Sequence, residues 1–299
     1  MDHVIESQQF DRGILSKLFT LADALETKRD NCLNGKVLAS LFYEPSTRTR
    51  LSFESAMIRL GGQVIGTENA REFSSAIKGE TLEDTVRIIS RYADVLVLRH
   101  SEAGASERAS KFSSVPIINA GDGAGQHPTQ ALLDLYTIYR ERGKIDGLKI
   151  AMIGDLKNGR TVRSLSYMLG KYDDVSITHV SPSELAIGED IKNYLTEHGV
   201  GYVETEDLES VLGEVDTLYQ TRIQKERFSD IVEYERFKGC YKIDLETVGK
   251  TKDGTFIMHP LPRVDEILQE VDDSPKAVYF KQAYYGLLIR MALLKMLLS

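Results

Sequence analysis

The sequence predicts an α/β protein folded as two doubly wound parallel-sheet domains, and two observations predict it. Short apolar runs of strand length alternate along the chain with stretches whose apolar residues recur at helical spacing. That alternation breaks once, at Arg142-Gly143-Lys144-Ile145-Asp146-Gly147, and restarts with Lys149-Ile150-Ala151-Met152-Ile153-Gly154. A chain of 299 residues is also long enough to divide its core. The expected domains are residues 1–138 with a returning C-terminal helix at 284–299, and residues 139–283.

Residues 14–29 read as a helix with Leu15, Leu18, Phe19, Ala22 and Leu25 on one face. Residues 37–43 are a short apolar run between polar flanks, a buried strand. Glu44-Pro45-Ser46-Thr47-Arg48-Thr49-Arg50 follows, and Phe53, Ala56, Met57 and Leu60 then mark a helix stopped by Gly61-Gly62. Residues 67–80 are polar and read as a mobile loop, and residues 81–92 as a helix. Strands are expected at 94–100, ending in Arg99-His100, and at 115–120. Gln126-His127-Pro128-Thr129-Gln130 opens the next helix, since Pro128 suits a first turn. In the second half, strands are expected at 149–154, 175–180, 215–220 and 256–258, with a further apolar run at 200–203. Helices are expected from Arg160, over 191–199 and from about Gln282.

The balance of 37 basic and 45 acidic residues leaves a net charge of −8, which disfavours nucleic acid or an anionic membrane as partner. The two cysteines, Cys32 and Cys240, form neither a disulfide framework nor a metal spacing, and suit a reducing interior. Met1-Asp2-His3-Val4-Ile5-Glu6 has no basic region followed by an apolar core, so cytoplasmic residence is expected. The most apolar stretch, 286–298, carries Arg290 and Lys295 and is too short and too charged to span a bilayer.

The chemistry gathers at strand ends. Ser46, Thr47, Arg48 and Thr49 lie at a helix start, where free N–H groups and the helix dipole favour an anion. Arg48 and Arg50 add guanidinium forks that grip phosphate, a phosphate site without a Walker lysine. The competing reading is a solvated first turn with ordinary Ser/Thr caps. Arg99-His100 is either a site element or a solvated strand exit. His127 and Gln130 sit at a helix mouth, where imidazole can donate to a developing oxyanion or serve as a satisfied structural group. Arg160 opens a helix behind Gly154-Asp155-Leu156-Lys157-Asn158-Gly159, a loop without the glycine spacing of a dinucleotide fold. Thr221-Arg222-Ile223-Gln224-Lys225-Glu226-Arg227 and His259-Pro260-Leu261-Pro262-Arg263 end two more strands; the first could be a plain charged turn, while two prolines hold the second extended. No zinc spacing and no serine nucleophile elbow is present.

In this order, from residue 44 to residue 266, these segments resemble the aspartate/ornithine carbamoyltransferases, and the aspartate branch in particular. The resemblance implies transfer of the carbamoyl group of carbamoyl phosphate to the amine of L-aspartate, in pyrimidine synthesis. It implies a tetrahedral intermediate, no covalent enzyme intermediate, no cofactor and no metal, with the active site in a cleft between the domains. Catalytic roles would fall to Arg48, Thr49, Arg99, His127 and Gln130. Carbamoyl phosphate would be held by these five with Ser46, Thr47, Leu261 and Pro262. Aspartate would meet Lys78, Arg160, Arg222 and Gln224. Ser74 and Lys78 would reach the site of a neighbouring subunit, making the active form a homotrimer; a separate regulatory chain is a further partner the resemblance allows. Asn158 stands where the family often has Tyr.

The ornithine branch would need acidic groups where this chain offers Arg222, Gln224 and Arg227. A nicotinamide-dependent dehydrogenase lacks its glycine fingerprint here. A non-catalytic anion binder accounts for Arg48 and Arg50 but gives His127 and Gln130 nothing to do.

Overall fold

The computed structural model describes residues 2–27, 30–68, 70, 78–225, 228 and 230–299. Contacts divide the chain into two compact units, residues 1–133 with 284–299 and residues 134–283.

The first unit holds α1 (Arg12–Thr27), β1 (Val37–Phe42), α2 (Thr47–Arg59), β2 (Gln63–Glu68), α3 (Leu82–Ile89), β3 (Val95–His100), α4 (Ala105–Ser110) and β4 (Ile117–Asp122). Its sheet runs β2-β1-β3-β4, with every pairing parallel. Strands such as Val95-Leu96-Val97-Leu98 are apolar on both faces because parallel sheets are covered on both sides. On one face Ala39, Leu41, Leu96, Leu98 and Ile117 pack with Leu82 and Val86 of α3 and Ala105 and Ala109 of α4. The N-terminal segment lies beside β4, with Val4 N–H donating to the Ile117 carbonyl at 2.8 Å and Asn119 N–H to that of Val4 at 2.7 Å. The returning helix packs here too: the Arg290 guanidinium lies 5.1 Å from the centroid of the Phe53 ring, and Lys295 pairs with Asp30.

A helix α5 (Pro128–Arg142) crosses from one unit into the next. The second unit continues with β5 (Lys149–Ile153), α6 (Arg160–Leu169), β6 (Ser176–Val180), α7 (Glu189–Glu197), β7 (Gly201–Thr205), β8 (Thr217–Gln220), α8 (Ile231–Phe237), α9 (Leu245–Lys250), β9 (Phe256–Met258) and the start of α10 (Tyr279–Leu298). Its parallel sheet runs β7-β6-β5-β8-β9. Ala151, Ile153, Val180, Leu218 and Ile257 form one face of its core with Tyr241, Ile243, Ile267, Val271 and Tyr279.

Both sheets reverse winding direction inside. In the first, β1 leads outward to β2 and the chain then returns to β3 on the other side of β1. In the second, β5 leads outward to β6 and β7, and β8 returns beside β5. Ligands of doubly wound sheets bind beyond the carboxyl ends of the strands at such a reversal. Those ends are Tyr43-Glu44 beside Arg99-His100, and Gly154-Asp155 beside Thr221-Arg222.

The structure corrects several expected bounds. Thr67 and Glu68 belong to β2, an edge strand whose polarity hid it, and residues 69 and 71–77 of the expected loop lie outside the described residues. The helix expected over 81–92 is regular only across Leu82–Ile89, with Thr81 as N-cap through a bond from Asp84 N–H at 3.1 Å. The last helix starts at Tyr279, ahead of Gln282, and the strand expected from 215 starts at Thr217.

Candidate active site

In the first unit, β1 delivers Ser46 as N-cap of α2, but its side chain makes no capping bond. The ordinary-cap reading therefore does not describe this turn, and its backbone donors are not occupied by the Ser46 hydroxyl. Thr47 and Arg48 are exposed and Thr49 is buried. Ser52 Oγ turns back to the carbonyls of Arg48 (2.6 Å) and Thr49 (3.0 Å), fixing this turn. Arg50 approaches Glu54 at 3.7 Å, one turn along the same helix.

Arg99 sits on β3 next to β1, where Tyr43 N–H donates to its carbonyl at 2.9 Å. Its guanidinium donates to the Ala120 carbonyl at 3.3 Å and faces Glu44 at 3.7 Å, so it lies over the strand ends. The mouth of α5 is held by Asp122, whose carboxylate accepts the N–H groups of Gly104 and Gln126, each at 2.9 Å. Gln126 Oε1 accepts Ser7 N–H at 2.8 Å. On this scaffold His127 and Gln130 are buried, and Thr129 Oγ1 lies 3.4 Å from His127 Nδ1. The first-unit candidates thus come from the adjacent ends of β1, β3 and β4.

Lys78 is exposed and is followed by Glu80, whose carboxylate accepts Thr85 Oγ1 at 3.0 Å. Beside it, burial, and then the charge of Glu80, raises the Tyr43 phenol above its ordinary value despite a hydrogen bond with Thr85. Ser74 lies outside the described residues, as does Arg227.

In the second unit, Gly154 ends β5 with φ +113°, and a Cβ there would stand 2.4 Å from the Thr221 carbonyl oxygen. Only glycine lets β5 and β8 run this close at their ends. The buried Asp155 carboxylate accepts both the backbone N–H (3.0 Å) and the side-chain amide (3.1 Å) of Asn158. Gln224 Nε2 donates to the Asn158 carbonyl at 3.3 Å, tying the loop after β8 to the loop after β5. Asn158 is thus committed to shaping the loop that leads into α6. Gly159 is the N-cap of α6 and supplies no side-chain cap, with Arg160 first in the helix. Arg160, Arg222 and Gln224 therefore rise from two neighbouring strand ends. A shallow cleft at this edge is lined by Gly154, Gln220, Thr221, Arg222, Tyr241 and Glu266.

Leu261 and Pro262 lie in the loop after β9, joined by a cis peptide. Sequence reasoning missed the partner of that loop, Glu266. Burial raises the Glu266 carboxyl, but hydrogen bonding from His259 and the backbone outweighs this and leaves it below its ordinary range. A polar pair seven residues apart, with prolines between, was its only trace in the sequence. Among the described residues no group of three or more His, Cys, Asp or Glu side chains could hold a metal ion, and no helix is long and apolar enough to cross a membrane.

Residues 2–140 match the family described as aspartate/ornithine carbamoyltransferase, carbamoyl-P binding domain, and residues 146–297 its Asp/Orn binding domain. The chain therefore belongs to the aspartate/ornithine carbamoyltransferase family, a family of enzymes. It is 57% identical to aspartate carbamoyltransferase 3, chloroplastic, of Pisum sativum, over 100% of this chain and 78% of that protein. It is 54% identical to the aspartate carbamoyltransferase catalytic subunit of Methanocaldococcus jannaschii, over 100% and 98%. A crystal structure of aspartate transcarbamoylase from Trypanosoma cruzi with carbamoyl phosphate and aspartate superposes with a TM-score of 0.94 at 41% identity, covering 100% of this chain and 97% of that one.

Proposed function

We propose that this chain transfers the carbamoyl group of carbamoyl phosphate to the amine of L-aspartate, releasing phosphate and N-carbamoyl-L-aspartate, a step of pyrimidine synthesis. The observation that carries the reading is the chemistry at the two winding reversals: cations and amides gather there on a chain of net charge −8. Two anionic reactants repel, so joining them requires positive groups that also orient them.

Residues 1–138 with 284–299 bind carbamoyl phosphate and 139–283 bind aspartate. Ser46, Thr47, Arg48 and Thr49 hold the phosphate at the α2 start. As the amine attacks, negative charge grows on the carbamoyl oxygen, and Arg99, Thr49 and His127 donate to it. Each preorganised donor of this kind contributes about 2.7–4 kcal/mol. His127 donates in its Nε2–H tautomer, with Nδ1 facing Thr129 Oγ1 at 3.4 Å. Gln130 and the Leu261 carbonyl take the carbamoyl NH₂, with Pro262 against the group. Arg160, Arg222 and Gln224 bind the aspartate carboxylates, and Lys78 joins them.

The active form is a homotrimer in which Ser74 and Lys78 serve a neighbour's site. Support for an assembly comes from Leu51 and Ile58 on α2 and Ile65 on β2, all large, apolar and exposed on the monomer. The chain works in the cytoplasm, without nucleic acid or membrane as partner. A regulatory chain, if one is used, would change its sedimentation when added.

The test is carbamoyl transfer from carbamoyl phosphate to aspartate and to ornithine, side by side. Product with aspartate and none with ornithine is the expected result. The reverse preference would move the chain to the other branch of the family.

A further inference from the structure

The loop after β9 is held by two buried side chains that no step of the reaction above uses. His259 is 1% exposed and Glu266 5% exposed. His259 Nδ1 accepts the Leu261 N–H at 2.7 Å. A ring nitrogen that accepts carries no proton, so the imidazole proton sits on Nε2 and is donated to Glu266 Oε1 at 2.8 Å. The other carboxylate oxygen, Oε2, accepts the N–H groups of Val264 and Asp265, each at 3.1 Å. The His259 backbone N–H donates to Gln282 Oε1 of α10 at 2.9 Å. Pro260 and Pro262 have no N–H, so the Leu261 N–H is the one backbone donor across residues 260–262, and the ring takes it.

A buried ionisable pair is a weak source of net stability, because desolvation offsets the attraction. What this pair does achieve is geometric. We infer that His259 and Glu266 are positioning residues for carbamoyl transfer: together they fix the Pro260–Leu261 peptide plane from one side and residues 264–265 from the other, and so aim the Leu261 carbonyl. The inference rests on the reading that this carbonyl accepts from the carbamoyl NH₂. Neither side chain touches the reactants; each acts through the backbone. A misplacement of ~1 Å at a reacting group costs about 100-fold in rate.

The two amide replacements of histidine separate the roles. His259→Asn places an amide oxygen near the Nδ1 position and keeps an acceptor for Leu261 N–H; His259→Gln reaches toward Nε2 and leaves that N–H without one. Glu266→Gln keeps the volume. However its amide turns, it presents NH₂ either to the donors of residues 264 and 265 or to His259 Nε2, which moves the ring proton to face the Leu261 N–H. The full-length chain and each variant are assayed for kcat, KM for carbamoyl phosphate and inhibition by inorganic phosphate, with thermal melts alongside.

His259→Ala, His259→Gln and Glu266→Gln are expected to lose about 10- to 100-fold in kcat and to raise KM for carbamoyl phosphate, with phosphate inhibition unmoved. His259→Asn is expected to recover at least about tenfold over His259→Ala. Wild-type rates in His259→Gln and Glu266→Gln would overturn the inference. So would equal losses in all four variants that track the melting temperature, which is what a purely structural pair gives. A wild-type chain that makes no carbamoyl aspartate would instead overturn the functional reading itself.

Discussion

Tyr219 donates its hydroxyl to the Asp134 carboxylate at 2.7 Å, between β8 and α5, with both residues fully buried. Burial, and then the charge of Asp134, pushes the Tyr219 phenol well above its ordinary value, so it stays a donor at any working pH. The other Asp134 oxygen accepts Gln282 Nε2 at 2.6 Å, and Gln282 Oε1 takes the His259 N–H. One carboxylate therefore ties α5, β8 and α10 together and leads to the loop carrying Leu261. Asp134→Ala strands two buried donors and should cost about 2–5 kcal/mol; Tyr219→Phe should cost about 1–3 kcal/mol. Urea midpoints at unchanged m-value measure both. A loss under about 0.5 kcal/mol for Asp134→Ala, the range of a surface change, would refute this account.

His179 gives a pH prediction with a defined sign. It lies on β6, 1% exposed, and among the described residues neither ring nitrogen has a hydrogen-bond partner. Tyr202 packs at 5.9 Å, and Glu204 of β7 and Lys192 of α7 pair with each other nearby at 2.8 Å. Burial lowers the His179 pKa from 6.5 to about 4; Glu204 opposes this and Lys192 adds to it. Between those two values the unfolded chain takes up a proton and the folded chain does not. Stability is therefore complete above pH 6.5 and is lost as pH falls toward 4. At pH 5 the loss is about 2 kcal/mol. His179→Leu should remove that part of the acid sensitivity. Denaturation midpoints at pH 7.5 and pH 5 check it: if variant and wild type weaken by the same amount, His179 is not the source.

The strands that position the candidate residues were legible because parallel strands buried on both faces are continuous apolar runs, as in residues 95–98 and 150–153. Pro128 marked the start of α5 for a similar reason: a residue without an N–H fits where no N–H is bonded. β2 was illegible, since Gln63, Thr67 and Glu68 dilute Val64 and Ile65, and its identity as a strand comes from register with β1, Val37 opposite Gln63. The winding reversals could not be read either, because strand order is a fact of pairing. Gln282 and Asp134 are 148 residues apart, and no local pattern announces such a bond.

Arg48 separates function from folding. It is exposed on the first turn of α2, away from the buried Phe53 and Met57. Arg48→Ala should leave stability within about 0.5 kcal/mol. Turnover should fall by about 100- to 1000-fold, the scale for losing one preorganised donor to a developing charge. Denaturation and steady-state rates on the same preparation read both. Normal turnover in Arg48→Ala would remove the phosphate from the α2 start.

Lys78 tests whether sites are shared between subunits. It is exposed, a few residues before α3, and Glu80 beside it is anchored through Thr85. If Lys78 serves a neighbour's site while Arg48 serves its own, Lys78→Ala and Arg48→Ala trimers are each inactive for different reasons. Dissociating and reassembling a mixture then creates some sites with both native side chains. In a trimer formed at random from equal amounts of the two variants, a site is native when the Arg48 donor and the Lys78 donor are different, suitably ordered chains. That occurs for about a quarter of the sites, so recovery should approach one quarter of wild-type activity, in the way symmetric heterologous interfaces combine. The recovered activity should scale with the product of the two fractions and peak at equal mixing. Activity that stays at the level of the parents at every ratio would mean that each chain completes its own site.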